Sequence, residues 1–136
     1  MSLPDPLVLK DSTLTDVTFS IQTILPTKDA NSGGSIRVDT ASGATTPRNF
    51  VIKQSITGKG TSRVRRTLVQ VTQVKLDSAG NSSQLTHNLS WVYPLNGIFS
   101  ATDLYNAICI AADAVLSTAS LAVDTTKVSA LLQGQS

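Results

Sequence analysis

From Phe50 to Leu76 the chain reads FVIKQSITGKGTSRVRRTLVQVTQVKL, two runs in which apolar and polar residues take turns on either side of Gly-Lys-Gly. A repeat of two suits a pleated strand, whose successive side chains point to opposite faces, and does not suit a helix with its repeat of 3.6. The paired glycines suit a hairpin turn. If continuous, residues 63–75 extend about 40 Å at roughly 3.3 Å per residue, far beyond an ordinary strand of ~5–6 residues. A fold containing such a pair is built on a broad antiparallel sheet.

The remaining sequence extends that sheet and then leaves it. PLVLKD and TDVTFSIQTIL form a hairpin about Asp11-Ser-Thr, and a Lys-Asp-Ala-Asn-Ser-Gly-Gly loop leads to the short strand SIRVDT. After the turn ASGATTP come RNFVIKQSIT, SRVRRTLVQVTQVKL and SSQLTHNLSWVYP, the last two separated by DSAGN. Beyond Pro94-Leu-Asn-Gly97 the pattern turns helical. Ser100-Ala-Thr-Asp103 supplies an N-cap with an acid at the third position, where the helix dipole favours negative charge. Leu104, Ile108, Ala111 and Val115 then recur as one apolar stripe. A second short helix starts at Asp124, presents Val128, Leu131 and Leu132, and stops at Gly134. The expected organisation is one α+β domain over residues 1–136, with a hairpin in 1–26, a sheet in 35–94 and two helices in 100–134.

Alternation also sorts the faces. Phe50, Ile52 and Ile56, then Thr67, Val69 and Val71, then Leu85, His87, Leu89 and Trp91 share one side of the sheet. Asn49, Val51, Lys53 and Ser55, then Arg66, Leu68, Gln70 and Thr72, then Thr86, Asn88 and Ser90 take the other. One face is expected to be apolar and the other polar and basic, the pattern of an antiparallel sheet covered on one side only. A helix of 17 residues spans only ~25 Å. Two such helices cover a broad sheet thinly, so a partner chain is expected to help bury the apolar face.

Charge gives the first hint of function. Net charge is only +2, yet seven of the 11 basic residues (Arg48, Lys53, Lys59, Arg63, Arg65, Arg66, Lys75) fall within residues 48–75, and no acid lies between Asp39 and Asp77. A local basic field draws polyanions by steering and counterion release, which favours nucleic acid over a small acidic metabolite.

Enzyme chemistry is hard to assemble from these residues. His87 is the only histidine, and alternation places it among Leu85, Leu89 and Trp91, where a core or interface role fits better than that of a general base. The nine acids are all Asp and well separated, so no carboxylate pair can be nominated. Cys109 is the only cysteine, which excludes an internal disulfide and a cysteine-cluster metal site. GKGTS lacks the length and the following helix of a phosphate-binding loop. No catalytic residue, metal or cofactor is expected. Neither a secretory leader nor a membrane span is apparent, and a soluble protein made in a cytosol is the expectation.

A run of strands followed by HNLSWVYPLNGIFSATDLYNAICIAADAVLSTASLAVDTTKVSALLQ resembles the coat proteins of the single-stranded RNA bacteriophages, the leviviruses. The resemblance covers nearly the whole chain. It rests on the order of elements, on a last strand ending in Pro94 before an Ile-Phe-Ser-Ala-Thr entry into the helix, and on the paired strands NFVIKQSI and RRTLVQVTQV. What it implies is an N-terminal hairpin, a five-stranded antiparallel sheet and two C-terminal helices that reach over a second subunit. Dimers of that kind build an icosahedral shell, usually T = 3, around the RNA genome, and can repress translation by binding an operator hairpin. The positions that match the family's RNA-contacting sites are Asn49, Lys53 and Ser55, then Arg66, Leu68 and Gln70, then Thr86, Asn88 and Ser90. Leu68 stands where a basic residue is frequent and Thr86 where a stacking aromatic can occur, so general packaging is the expectation ahead of tight operator recognition. The resemblance thus implies a virion protein assembled in a bacterial cytoplasm, with itself and single-stranded RNA as partners. A dimeric β-sheet RNA-binding repressor that never assembles is the alternative.

Overall fold

The computed structural model describes residues 5–25 and 32–115. Its first unit, residues 17–96 with the chain up to Leu9, holds the sheet. Six strands run in the order β1-β2-β3-β4-β5-β6: Leu7–Lys10, Asp16–Leu25, Ser32–Asp39, Arg48–Thr57, Val64–Leu76 and Ser82–Pro94. The pairs from β2 onward are antiparallel. The pair of strands read from the alternation is β4 and β5, of 10 and 13 residues, and β6 is as long as β5.

The expected separation into a hairpin and a five-stranded sheet is corrected here. Four strands follow the hairpin, and the hairpin belongs to the same sheet because β2 pairs with β3. A bulge between Ile21 and Thr23 lets β2 follow β3 from Phe19 to Leu25, which gives the backbone groups of both strands partners they would otherwise lack. β3 also begins earlier than SIRVDT suggests, taking in Ser32-Gly33-Gly34. Gly34 is required in the strand for a steric reason. A Cβ on Gly34 would lie 2.0 Å from the backbone oxygen of Ile52. Gly34→Ala is therefore expected to lose about 1–3 kcal/mol of stability, read as a lower urea midpoint; an unchanged midpoint would mean the two backbones do not approach so closely.

Turns follow their local chemistry. Gly58, with φ of +91°, opens the β4–β5 connection in the left-handed region, and a Cβ there would meet the Ser62 oxygen at 2.3 Å. In the β5–β6 turn the Asp77 carboxylate accepts from the amides of Ala79 and Asn81, both at 2.8 Å, and from the Asn81 side chain at 3.0 Å. These bonds, that of the Asn81 side chain foremost, hold the carboxyl below its ordinary value.

The core lies on one face of the sheet. Leu7, Phe19 and Phe50 are buried together, with Leu9, Val17, Ile52, Val69 and Val71 packed against them. Phe19 and Phe50 meet at 5.5 Å between ring centroids. On the same face Arg37 is buried, its guanidinium 3.6 Å from the Asp5 carboxylate. Asp5 also accepts the Ile21 amide at 3.0 Å, tying the start of the chain to β2 and β3.

The second unit comprises residues 10–16 and the chain from Gly97 onward. Its helix α1, Ala101–Asp113, starts at the predicted cap. The Ser100 hydroxyl accepts the Asp103 amide at 3.2 Å while the Asp103 carboxylate accepts the Ser100 amide at 2.8 Å. That backbone bond is the main cause of a lowered Asp103 pKa. Leu104, Ile108 and Val115 are half-buried as expected, but Ala112 is half-buried where Ala111 was the expected member of the stripe. The helix expected from Asp124 to Gly134 lies outside the described residues.

Candidate nucleic-acid interface

In an antiparallel ladder, residues directly opposite each other share a face with Cβ atoms about 4.5–5.5 Å apart. Neither β4–β5 nor β5–β6 contains a register break, so the period of two holds without interruption. The nine predicted positions consequently fall on one face, in four rows. Ser55 stands beside Arg66 and Val92. Lys53 stands beside Leu68 and Ser90. Val51 stands beside Gln70 and Asn88, and Asn49 beside Thr72 and Thr86.

The first two rows line an open trough of about 650 Å³ that takes in Lys53, Ser55, Arg66, Leu68 and Ser90. Leu25 of β2 and Val92 of β6 complete its apolar part. Leu25 reaches it because its row runs through Gly34 to Lys53, and Gly34 has no side chain to stand between them. The trough thus combines two cations and three serines, Ser32, Ser55 and Ser90, with a patch of leucine and valine. Lys53 and Arg66 are both exposed, and neither has an ion-pair partner among the described residues.

Farther along the face the polar groups begin to satisfy one another. The Gln70 side-chain amide donates to the Asn88 side-chain oxygen at 2.8 Å, and Gln84 donates to the Thr86 hydroxyl at 3.1 Å. Thr86, Asn88 and Ser90 are exposed, whereas Asn49, Gln70 and Leu68 are half-buried.

The cluster of cations seen in the sequence divides in space. Arg48, Arg65 and Lys75 stand opposite Gln73, Tyr93 and Ser83, in rows belonging to the other face. Arg48 is held there by Asp39 at 3.5 Å. Lys59 and Arg63 flank a short 3-10 turn over Gly60–Ser62. Among the described residues of β3 to β6 the polar face therefore carries two cations, Lys53 and Arg66, and the expectation of a basic face is corrected to that extent. Sequence reasoning missed Leu25, Ser32 and Val92. Val92 was within reach, since it continues the alternation of Thr86, Asn88 and Ser90 by one step; Ser32 was assigned to a loop on account of the following glycines.

The opposite face is not fully covered. Leu85 is 62% exposed and Leu89 38%, and His87 between them is exposed. Eleven large apolar residues are exposed in the described chain, against four buried ones.

No protein-family model matches this sequence, and no curated protein is significantly similar to it. Solved structures do match its fold. A subunit of the virus-like particle of Beihai levi-like virus 21 superposes with a TM-score of 0.63 at 14% identity, covering 100% of this chain and 98% of that one. A subunit of the virus-like particle of bacteriophage AVE019 gives a TM-score of 0.50 at 15% identity, over 82% of this chain and 84% of the other. At such identities the likeness is one of fold.

Proposed function

We propose that this chain is the capsid subunit of a single-stranded RNA bacteriophage, a structural protein without catalytic function. The observation that carries the reading is a sheet fold shared end to end with a virus-like-particle subunit in a chain that leaves much of its apolar surface uncovered. Leu85 and Leu89 stand exposed on the same face of β6, and exposed apolar side chains grouped on one face mark a surface that another chain covers. Two chains join edge to edge along β6, each laying its C-terminal helices over the apolar face of the other. The dimers close into an icosahedral shell, T = 3 in the simplest case, and the virion is assembled in the host cytoplasm.

The face bearing Lys53 and Arg66 lines the interior and holds the genome. Phosphates sit at the two cations, which supply affinity, while Ser55, Ser90 and the exposed edges of Asn49, Gln70, Thr86 and Asn88 contact sugars and bases. With Gln70 and Asn88 bonded to each other, one of the four hydrogen bonds that each side-chain amide can make is already used. That favours packaging with modest sequence preference over tight operator binding and translational repression.

Expression of the chain alone in bacteria is expected to yield closed particles in electron micrographs, with RNA protected from nuclease. Dimers that bind RNA without forming particles would favour the second reading, a non-assembling β-sheet repressor. Monomers at every salt and protein concentration would exclude both.

A further inference from the structure

His87 lies on the apolar side of the outermost strand, between Leu85 and Leu89 and opposite Val71 of β5. β6 is 13 residues long and regular, with one paired edge among the described residues. Such an edge is a template for another strand. The occupant it fits is β6 of a second copy about a twofold axis. Antiparallel self-pairing that keeps like faces together must oppose residues of equal parity, and pairing centred on Asn88, the middle residue of Ser82–Pro94, does so along the whole strand. In that register Leu85 opposes Trp91 of the second copy, Thr86 opposes Ser90, and His87 opposes Leu89. The two His87 rings become diagonal neighbours on the apolar face, with backbones about 7–8 Å apart.

We infer that His87 makes this seam sensitive to pH, so that the two chains associate through neutral imidazoles and separate more readily once these are protonated. Bringing a charged ring under the apolar cover of a partner is unfavourable, and two such charges repel. β4 and β5 bring no acid to this face, and the acids of α1, the element proposed to cover it, are Asp103, already bonded to Ser100, and Asp113 at its end. β5 contributes Val69, Val71 and Gln73 beside the ring and the cation Lys75 farther along, and β4 contributes Arg48, whose carboxylate partner Asp39 on β3 is already engaged. The sign follows from linkage. Because the associated state binds fewer protons, association weakens as the pH falls.

The inference rests on the dimer proposed above, and the test separates the two. Dimer dissociation of the full chain is measured by sedimentation at about pH 7.5 and about pH 5.5 in matched ionic strength, for the native protein and for His87→Gln. The native dimer is expected to weaken about tenfold or more at the lower pH, and the variant to give the same constant at both. Where the dimer is too tight to dissociate, its melting temperature is followed instead, and the drop on acidification should disappear in the variant. A dimer indifferent to pH, or a pH response that persists in His87→Gln, overturns the role of His87 and leaves the dimer standing. A chain monomeric at both pH values overturns both.

Discussion

Phe50→Ala is expected to lower the stability of the chain by about 3–5 kcal/mol, the usual cost of deleting a buried aromatic ring, and to leave little folded protein at physiological temperature. Phe50 is only 7% exposed, and its ring packs tilted against that of Phe19, 5.5 Å between centroids. It also bridges two parts of the chain, the hairpin residues Leu7, Leu9 and Val17 and the central-strand residues Ile52, Val69 and Val71. Few other residues share the task, since only Leu7 and Phe19 join it as buried apolar side chains of this core among the described residues. Native stabilities of ~5–15 kcal/mol leave small reserve against such a loss. Chemical denaturation of Phe50→Ala and of the milder Phe50→Leu would measure it, with the leucine variant retaining most of the stability. A loss below about 1 kcal/mol for alanine would show that the hairpin does not dock through this ring and that the chain draws its stability from elsewhere, a partner subunit being the obvious source.

The second large effect concerns RNA. Lys53→Ala combined with Arg66→Ala removes both cations from the trough face, and no other basic residue shares a row with the nine polar positions. If phosphates sit at these two side chains, the logarithm of the RNA-binding constant should vary less steeply with the logarithm of salt, by about one unit for each residue lost. Nuclease-protected RNA per particle should fall in parallel. Both residues are exposed, so the fold should survive the change, and circular dichroism and particle assembly without nucleic acid serve as controls. The companion variant Arg65→Ala with Lys75→Ala alters charge equally on the opposite face. Equal losses from the two double variants would mean that RNA responds to net charge alone and that the trough has no special part.

That comparison bears on how much could be read in advance. Alternation placed all nine candidate residues correctly relative to one another because β4, β5 and β6 run without a bulge. An uninterrupted period of two converts position in the chain directly into side of the sheet. The same rule, applied residue by residue, would have sent Arg48, Arg65 and Lys75 to the far side; counting cations along the chain merged two faces that the pleat keeps apart. The α1 cap was legible for a related reason, since Ser100 and Asp103 act within one turn. Less local features were not. The Ser-Gly-Gly segment reads as a loop by composition, and only the approach of Ile52 to Gly34 makes glycine a requirement of a strand there. Arg37 gave no sign of burial, because what shields it is Asp5, which precedes it by 32 residues and lies on another element.

What the order of amino acids settles unaided is the sequence of elements, the long central hairpin and the sorting of side chains between two faces, all consequences of repeats and turn chemistry acting over a few neighbouring residues. The tertiary structure alone decides that the hairpin joins the sheet through β2, that Leu25 and Val92 complete a trough around Lys53 and Arg66, and that Arg37 is buried against Asp5. Those outcomes depend on which strands become neighbours and in what register, and register is set by backbone pairing between segments far apart in the chain.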